Sequence, residues 1–315
     1  MAGVRVDHVI TWFSGANPRS YGLDATVALQ GHVVSENEIA RVLAACEVPD
    51  YGAGREVIHA QPVNFALDNR SGLSDPRGQM GQTLSVDMHM LTVDSSTVQN
   101  LMRCIQRCDL ELAGIASSAY ASGYAALVED EQELGAACID MGGGSTSISI
   151  FMKKHMIYAD AVRMGGDHIT SDISMGLGVP MANAERIKTF CGGVHATGAD
   201  DRDMIDIGGE AGDWEHARRT VSRAELIGIM RPRVEEILEE VRVRLDAAGF
   251  ECLPSQQIVL TGGSSQIMGL DSLASRILGQ QVRLGRPLRV HGLPQSATGP
   301  GFASAVGLSL FAAHP

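Results

Sequence analysis

The amino-acid sequence predicts an α/β fold of about two domains, and three observations support this prediction. The chain has 315 residues, more than the roughly 250–300 that a single hydrophobic core accommodates. Segments with strand and helix periodicity alternate along the chain. Residues 17–110 contain such segments with apolar positions of their own, so we expect them to form a compact α+β unit with a small core.

Charge and composition exclude several classes of function. Lys and Arg number 25 and Asp and Glu number 37, so the formal net charge is −12. This balance argues against a protein that neutralises nucleic-acid phosphates, and we expect no nucleic-acid partner. The three lysines, at 153, 154 and 188, cannot form a lysine-rich tract for anionic lipid. No Gly-Lys dipeptide occurs, which excludes a Walker A loop.

Cysteine usage and hydropathy predict a cytoplasmic protein. The six cysteines include no C-x-x-C pair and are typical of reduced, buried thiols. The first apolar stretch contains Arg5 and Asp7, unlike a signal peptide. No run reaches the roughly 18 apolar residues that a membrane span requires.

The first third of the chain predicts four strands and two helices. Ser35 and Glu38 form a capping box that opens a helix to about Cys46. Asp94 or Ser95 is predicted to cap the second helix. Pro62 makes part of the third strand an edge, because proline cannot donate to a sheet ladder. The predicted strands are 4–13, 21–29, 57–67 and 83–93, with a turn at 14–18 and a loop at 69–82.

The remaining two thirds predict a different order. Three strands joined by tight turns predict an antiparallel meander. Ser222 and Glu225 form a second capping box, opening the longest helix, which Pro232 kinks or divides. A buried strand at 257–261 ends in two glycines. The meander strands are 135–140, 146–151 and 155–163, and the other elements are helices at 117–128, 166–176, 182–190, 222–248, 269–278 and 301–311, with a strand at 281–284.

The strongest chemical signal is a triple-glycine turn between two predicted strands. A dinucleotide fingerprint would need a helix after the glycines, so this turn is a different motif. Glycines allow backbone N–H groups to approach an anion closely, serine and threonine add hydroxyls, and an aspartate at the strand end suits a metal-bound or attacking water. The alternative is a glycine hairpin with a structural aspartate. The run is Asp140, Met141, Gly142, Gly143, Gly144, Ser145 and Thr146.

Two weaker signals accompany the first. Gly262, Gly263 and Ser264 follow the buried strand at 257–261, where a backbone without Cβ atoms can contact a flat base or sugar. Glu185 and Lys188 share a helix face at i,i+3 and suit a ribose or base edge, although a solvated ion pair is the alternative. The run at 206–209 is similar to a phosphate loop but lacks flanking strands, so we interpret it as a surface turn.

Taken together, six stretches resemble the actin/chaperone ATPase superfamily and, within it, the FtsA family of bacterial cell-division proteins. The unit at 17–110 resembles the subdomain inserted in that family. The resemblance implies an α/β fold of actin-like (RNase H-like) lobes with an inserted small α+β subdomain. The matching stretches are 115–118, 140–146, 165–173, 184–188, 259–263 and 305–308.

The resemblance also implies a division of the chain. Residues 1–16 and 111–135 correspond to part of the first lobe, and residues 17–110 to the insert, which contacts other proteins. The second lobe divides into a core, 136–176 with 254–315, and a small subdomain at 177–253.

The family fold implies ATP and Mg²⁺ in the cleft between the lobes, used at most by a weak ATPase that acts as a switch. By resemblance, the run from Asp140 to Thr146 is the second phosphate loop, with Asp140 as the catalytic and metal-binding residue. Glu185 and Lys188 lie at the nucleoside, and Gly262, Gly263 and Ser264 belong to the adenosine motif.

The family also implies partners. Its members polymerise like actin, link FtsZ to the cytoplasmic face of the inner membrane at the division site, and contact later division proteins. Arg219, Arg233 and Glu236 match the positions that receive the FtsZ C-terminal tail, and cationic side chains suit an acidic tail. A solvated helix face is the alternative for these three residues.

Both ends of the chain depart from the family pattern. Nothing before Val4 resembles the first phosphate hairpin, and no linker or membrane helix follows Pro315. We therefore expect a chain truncated at both ends, with weak or absent MgATP binding. The alternative is that the chain is another member of the superfamily, either a pilus-assembly relative or a small-molecule kinase. A kinase would need a catalytic aspartate in the first lobe, and we identify none in the sequence.

Overall fold

The computed structural model describes residues 6–208, 219–288, 290 and 292–313. These residues form thirteen β-strands and nine α-helices. The strands are β1 (His8–Phe13), β2 (Arg19–Ala28), β3 (Arg55–Leu67), β4 (Arg70–Leu73), β5 (Thr83–Asp94), β6 (Glu111–Ser117), β7 (Ala136–Met141), β8 (Thr146–Met152), β9 (His155–Val162), β10 (Met204–Asp206), β11 (Thr220–Ser222), β12 (Gln257–Thr261) and β13 (Val282–Leu284). The helices are α1 (Glu36–Ala44), α2 (Ser95–Gln106), α3 (Ser118–Ala126), α4 (Glu129–Leu134), α5 (Gly166–Leu177), α6 (Met181–Cys191), α7 (Arg223–Ala247), α8 (Leu270–Leu278) and α9 (Ala303–Ala313).

The α+β unit predicted in the first third is a four-stranded antiparallel sheet in the order β2-β5-β3-β4. Helix α1 packs Val42 against a small core that includes Leu67, Leu84 and Val86. Its capping box is present as predicted, because the Ser35 hydroxyl accepts from the Asn37 N–H and the Ser35 N–H donates to the Glu38 carboxylate. The unit therefore has its own core.

Two details of this sheet differ from or refine the sequence prediction. Strand β4 lies inside the stretch predicted as a loop, because a turn at Asp68 (φ 53°) folds four residues back onto β3. Since β4 pairs only with Phe65 and Leu67, β3 has a single partner strand at Pro62, and a bulge follows it before Asn64. The predicted edge character of Pro62 is confirmed.

The two ends of the four-stranded sheet meet at one point, where a buried arginine holds them together. The Asp94 N–H donates to the Ala16 carbonyl at 3.0 Å. The Arg55 side chain, only 6% exposed, bonds the Asp94 carboxylate at 3.1 Å and the Asn17 carbonyl at 2.7 Å. Asp94 is the N-cap residue of α2, but its side chain makes no cap hydrogen bond. Asp94 therefore occupies the predicted N-cap position, but its carboxylate binds Arg55 and Asn17 and caps no helix N–H group.

Strands β1 and β6 form a two-stranded parallel sheet, and helices α3 and α9 pack against each other. The predicted first strand began at Val4; residues 4 and 5 lie outside the described residues. Neither β6 nor α4 is among the predicted elements. Strand β6 contains Leu112, Gly114 and Ile115, which lack the strict alternation that indicates a strand.

The second lobe is a five-stranded sheet in the order β13-β12-β7-β8-β9. Strands β7, β8 and β9 form the predicted antiparallel meander, whereas β12 runs parallel to β7 and β13 parallel to β12. In this register Thr261 on β12 lies beside Asp140 on β7. Because parallel strands end at the same sheet edge, both glycine motifs are carried to one place.

Helix α7 is the longest helix and runs without interruption through Pro232, so the predicted restart is wrong. Proline removes one backbone hydrogen bond, yet buried side chains on both sides, including Met230 and Val234, hold the helix against the sheet. Ser222 caps the helix as predicted, accepting from the Glu225 N–H at 3.2 Å. Within the described residues, no helix is both long enough and apolar enough to cross a bilayer.

Two buried histidines lie where the insert meets the lobes. His59 on β3 accepts from the Ser117 N–H at 3.0 Å and packs on the Tyr120 ring. His89 on β5 is 2% exposed and lies 3.0 Å from the Ser20 hydroxyl. Burial lowers the pKa of each imidazole to about 4, and the charge of His59 contributes further at His89. Both rings are therefore neutral at pH 7.

Acidification is expected to destabilise the fold through these histidines. Between the unfolded value of 6.5 and the folded value of about 4, the unfolded chain binds more protons than the folded one. The free energy of unfolding therefore falls as pH drops through this window, on the order of 3 kcal/mol per histidine. Urea denaturation at pH 7, 6, 5 and 4 measures this loss.

A double variant isolates the contribution of the histidines from that of the carboxylates. His59→Gln with His89→Gln should flatten the pH dependence between 6.5 and 4, whatever its effect at pH 7. His32→Gln, at an exposed position, should keep the wild-type slope. An unchanged slope in the double variant would contradict the prediction.

Candidate functional site

The two glycine motifs touch each other directly. Gly262 has φ +86°, and a Cβ there would lie 2.4 Å from the Asp140 Oδ1 atom and 2.6 Å from the Met141 carbonyl oxygen. Real Cβ atoms do not approach so closely, and L side chains rarely adopt this φ. Glycine at 262 is therefore required for β7 and β12 to end side by side.

The triple-glycine turn is fixed by backbone hydrogen bonds. The Gly142 N–H donates to the Ser145 carbonyl at 3.0 Å, which closes the turn between β7 and β8. The Gly142 carbonyl accepts from the Gly166 N–H, and the Gly143 carbonyl accepts from the Asp167 N–H, both at 2.9 Å. The first turn of α5 therefore holds the loop from behind.

Asp140 lies at the end of β7 and is held by the last helix. The Ser304 hydroxyl, on α9, donates to Asp140 Oδ2 at 2.6 Å. Burial raises the pKa of the Asp140 carboxyl, and the hydrogen bond from Ser304 opposes that rise. Sequence reasoning missed Ser304, because nothing in the sequence places α9 beside β7.

A cavity of about 270 Å³ opens at this edge of the sheet. It brings together Asp140, Gly142, Gly143, Gly144, Ser145, Gly262 and Gly263, with Trp12, Ser14, Ser118, Ser147, Gly301 and Ser304. Thr146 is not among the lining residues. Its side chain is fully buried, and its hydroxyl donates to the Met164 carbonyl at 2.9 Å, so it supports the loop from inside the protein.

A second cavity, of about 450 Å³, continues from the first on the side of α6. Three glycines line both cavities, namely Gly142, Gly143 and Gly263. Glu185, Lys188 and Ser264 line the second cavity alone. The two cavities form one groove, which we call the glycine groove, and its size lies within the range of small-molecule sites.

Lys188 is a buried residue, 8% exposed, which excludes the alternative of a solvated ion pair. Its ammonium donates to the Gly166 carbonyl at 3.0 Å and to the Thr170 hydroxyl at 2.8 Å, and lies 2.7 Å from Glu185 Oε2. These three acceptors use all of its donors. Lys188 therefore joins α6 to the start of α5.

Glu185 is the exposed member of the pair, with 52% of its side chain accessible. Burial on its own raises the pKa of Glu185, but the hydrogen bonds from Lys188 and Thr170 outweigh that effect and place the pKa below its usual value. Glu185 is therefore a carboxylate at neutral pH and borders the groove.

The three residues expected at the FtsZ tail are grouped around α5 and α7. Arg219 donates to the Leu177 carbonyl at 2.5 Å, at the C-terminal end of α5. Arg233 on α7 bonds both carboxylate oxygens of Asp172 on α5, at 2.7 and 3.2 Å, and Glu236 at 2.5 Å. Sequence reasoning missed Asp172, the bidentate partner of Arg233.

The run at 206–209 begins at the end of strand β10, which pairs with β11, so the expectation that it lacks flanking strands is wrong. Its Gly208 N–H donates to Asp206 Oδ1 at 2.9 Å. Its last residue, Gly209, lies outside the described residues. Among the residues that the structure describes, no three His, Cys, Asp or Glu side chains are placed to share a metal ion. Asp140 is the candidate metal residue that the sequence predicts, and it lines the groove.

Comparisons with known proteins agree with the resemblance. A family model described as cell division protein FtsA matches residues 137–307, and one described as the SHS2 domain inserted in FTSA matches residues 15–92. The chain is 42% identical over 311 residues to a cell division protein FtsA of Rhizobium meliloti strain 1021, covering 99% of this chain and 70% of that protein.

Solved structures agree with the predicted fold. A structure described as a PilM-PilN type IV pilus biogenesis complex matches with a TM-score of 0.65 at 17% identity, covering 100% of this chain and 82% of that one. MreB5 of Spiroplasma citri bound to AMPPNP matches with a TM-score of 0.52 at 18% identity, covering 70% and 65%. The predicted actin-like fold with a small inserted domain is confirmed.

The two adjacent glycines of the second motif are expected to respond differently to alanine. Gly262→Ala should lower the free energy of unfolding by about 2–4 kcal/mol, because its Cβ meets Asp140 and Met141 at a strained φ. Gly263→Ala should change it by less than about 0.5 kcal/mol, because nothing lies within 4 Å of a Cβ there. Chemical denaturation measures both, and equal losses would contradict the assignment.

Proposed function

Because the chain belongs to the FtsA family, a family of actin-like cell-division proteins, we propose that it is a division adaptor controlled by a nucleotide. In this proposal ATP with Mg²⁺ occupies the glycine groove, and the acidic C-terminal tail of FtsZ binds around Arg219, Arg233 and Glu236. The observation that carries the proposal is the convergence of both glycine motifs on one groove between Asp140 and the Glu185–Lys188 pair.

The groove fits a nucleotide in its shape and in the chemistry of its two ends. The Gly262 Cβ position is filled by neighbouring atoms, so backbone lines the floor. The loop from Gly143 to Ser145 offers backbone N–H groups and a hydroxyl to phosphates, and Gly263 leaves room for a flat adenosine. Bound MgATP supplies a cleavable phosphoanhydride.

The residues of this chain have separate roles in that proposal. Asp140 accepts a proton from, or orients, a water near the phosphates, and its partner Ser304 keeps the carboxylate pointed at the loop. Lys188 has no free donor, so it positions α5 behind the glycine loop and does not reach for the ligand. Glu185 offers an exposed carboxylate to a ribose hydroxyl.

The remaining parts of the proposal follow from family membership. The chain self-associates into actin-like filaments and acts at the division site on the cytoplasmic face of the inner membrane. The insert, residues 17–110, contacts later division proteins. The division into a first lobe, an insert, a second-lobe core and a small subdomain at 177–253 is part of this proposal.

Filling the groove is expected to weaken nucleotide binding without unfolding the protein. A valine in place of Gly263 occupies space that is empty in the protein but that an adenosine needs. Gly263→Val should weaken MgATP at least about tenfold, or about 1.4 kcal/mol, in isothermal titration calorimetry. Gly228→Val, at an exposed α7 position that is also open, is the matched control. Equal MgATP affinities of the two variants would contradict a nucleotide site at Gly263.

Removing the charge of Arg233 is expected to weaken the binding of the FtsZ tail. Arg233→Gln should raise the Kd of a fluorescent FtsZ C-terminal peptide about tenfold in anisotropy titrations, because a charge-assisted pair is lost. Arg231→Gln is the matched control, since Arg231 lies on the same helix but pairs with Glu235. A tail that binds both variants equally well would place its site elsewhere.

A further inference from the structure

A third cavity, of about 500 Å³, opens where the insert, the edge strand β9 and helix α7 meet. It shares no lining residue with the glycine groove. Arg19 from the insert, Arg163 from the end of β9 and Arg244 from α7 all line it. Three arginines from three separate elements therefore border one cavity, in a chain whose formal charge is −12.

The carboxylates in this cavity form ion pairs with only one of its three arginines. Arg244 lies 2.6 Å from Glu240 Oε2 and 3.5 Å from Asp160 Oδ2. Arg19 and Arg163 are exposed, and neither side chain has a hydrogen-bond or ion-pair partner among the described residues. Their donors are therefore available to a ligand, and the ligand they suit is anionic.

The cavity is continuous with the surface around Arg233. On α7, Arg233, Glu236, Glu240 and Arg244 follow one another at spacings of three and four, so they lie on one helix face. Arg233 also contacts the sulfur of Met164, a residue that lines the cavity. Arg244 lies eleven helical steps after Arg233, a distance of about 16 Å along the axis.

We propose that this cavity binds the carboxylates of an extended acidic peptide whose other end lies at Arg233. The proposal rests on the proposed function, which places the FtsZ tail at Arg233, and it extends that site to Arg19 and Arg163. About five extended residues cover 16 Å. Side chains of such a peptide then reach one guanidinium each.

The neighbouring carboxylates favour a peptide over a phosphate group. Asp160 and Glu240 border the cavity and repel a compact, doubly charged anion that must approach all the arginines together. A peptide carries its charges singly and spaced along the chain, so each carboxylate can approach Arg19 or Arg163 and avoid the acidic side chains. The cavity therefore fits an acidic peptide better than it fits inorganic phosphate.

The test uses two fluorescein-labelled probes, the FtsZ C-terminal peptide and octaglutamate, in anisotropy titrations with the full chain. The double variant Arg19→Gln with Arg163→Gln should bind both probes about tenfold more weakly, and its binding should depend less on salt. Arg103→Gln with Arg107→Gln is the control, because both are exposed on the insert, lack charged partners in the described structure and remove equal charge. The control should bind within twofold of wild type.

Each outcome has a distinct meaning. Unchanged affinity of both probes for the Arg19/Arg163 variant overturns the inference but leaves the FtsZ proposal intact, provided that Arg233→Gln still weakens the tail. If octaglutamate alone binds, and loses affinity in the variant, the cavity is supported and FtsZ is the wrong partner. Binding of neither probe to the wild-type chain overturns both. A competition experiment adds inorganic phosphate at about ten times the Kd of octaglutamate. Displacement of octaglutamate by phosphate also overturns the choice of a peptide.

Discussion

The close approach of Gly262 to Asp140 is the contact on which the rest of the site depends. The parallel register of β7 and β12 brings Thr261 beside Asp140, and the absence of a side chain at Gly262 lets the two strand ends remain adjacent. A similar contact recurs at Gly165, where a Cβ would lie 2.5 Å from the Gly143 carbonyl oxygen. The glycine groove is thus a set of backbones packed on backbones, and its shape tolerates little change.

Sequence periodicity and turn chemistry predicted most of the fold, because those signals are local. The capping box at Ser35, the N-cap at Ser222 and the meander around the triple-glycine turn are where the sequence places them, although Glu225 does not complete the predicted box at Ser222. Strand β4 escaped prediction because it has only four residues, and strand β6 escaped it because its residues do not alternate strictly between apolar and polar. Pro232 lies inside a continuous helix because tertiary packing on both sides outweighs one lost hydrogen bond.

The site was predictable in its residue types and much less so in its contacts. The glycines, Asp140, Glu185 and Lys188 were found from motif spacing, and all line the groove. Ser304 and Asp172 were missed because each acts from an element distant in sequence, and no pattern links them to Asp140 or Arg233. Thr146 belongs to the motif, but its hydroxyl faces the protein interior, since strand alternation turns it away from the cavity.

The attachment of the insert has a consequence for how such a chain can vary. A backbone hydrogen bond joins Ala16 to Asp94, so residues 16–94, which contain the four-stranded sheet, form one closed loop. The entropy of closing a loop grows only with the logarithm of its length, roughly 0.6 kcal/mol for each doubling. A module that closes its own ends and carries its own core adds little to that cost, whatever its size. The junction at Ala16, Arg55 and Asp94 is therefore a place where evolution can exchange one domain for another while the glycine groove is left undisturbed.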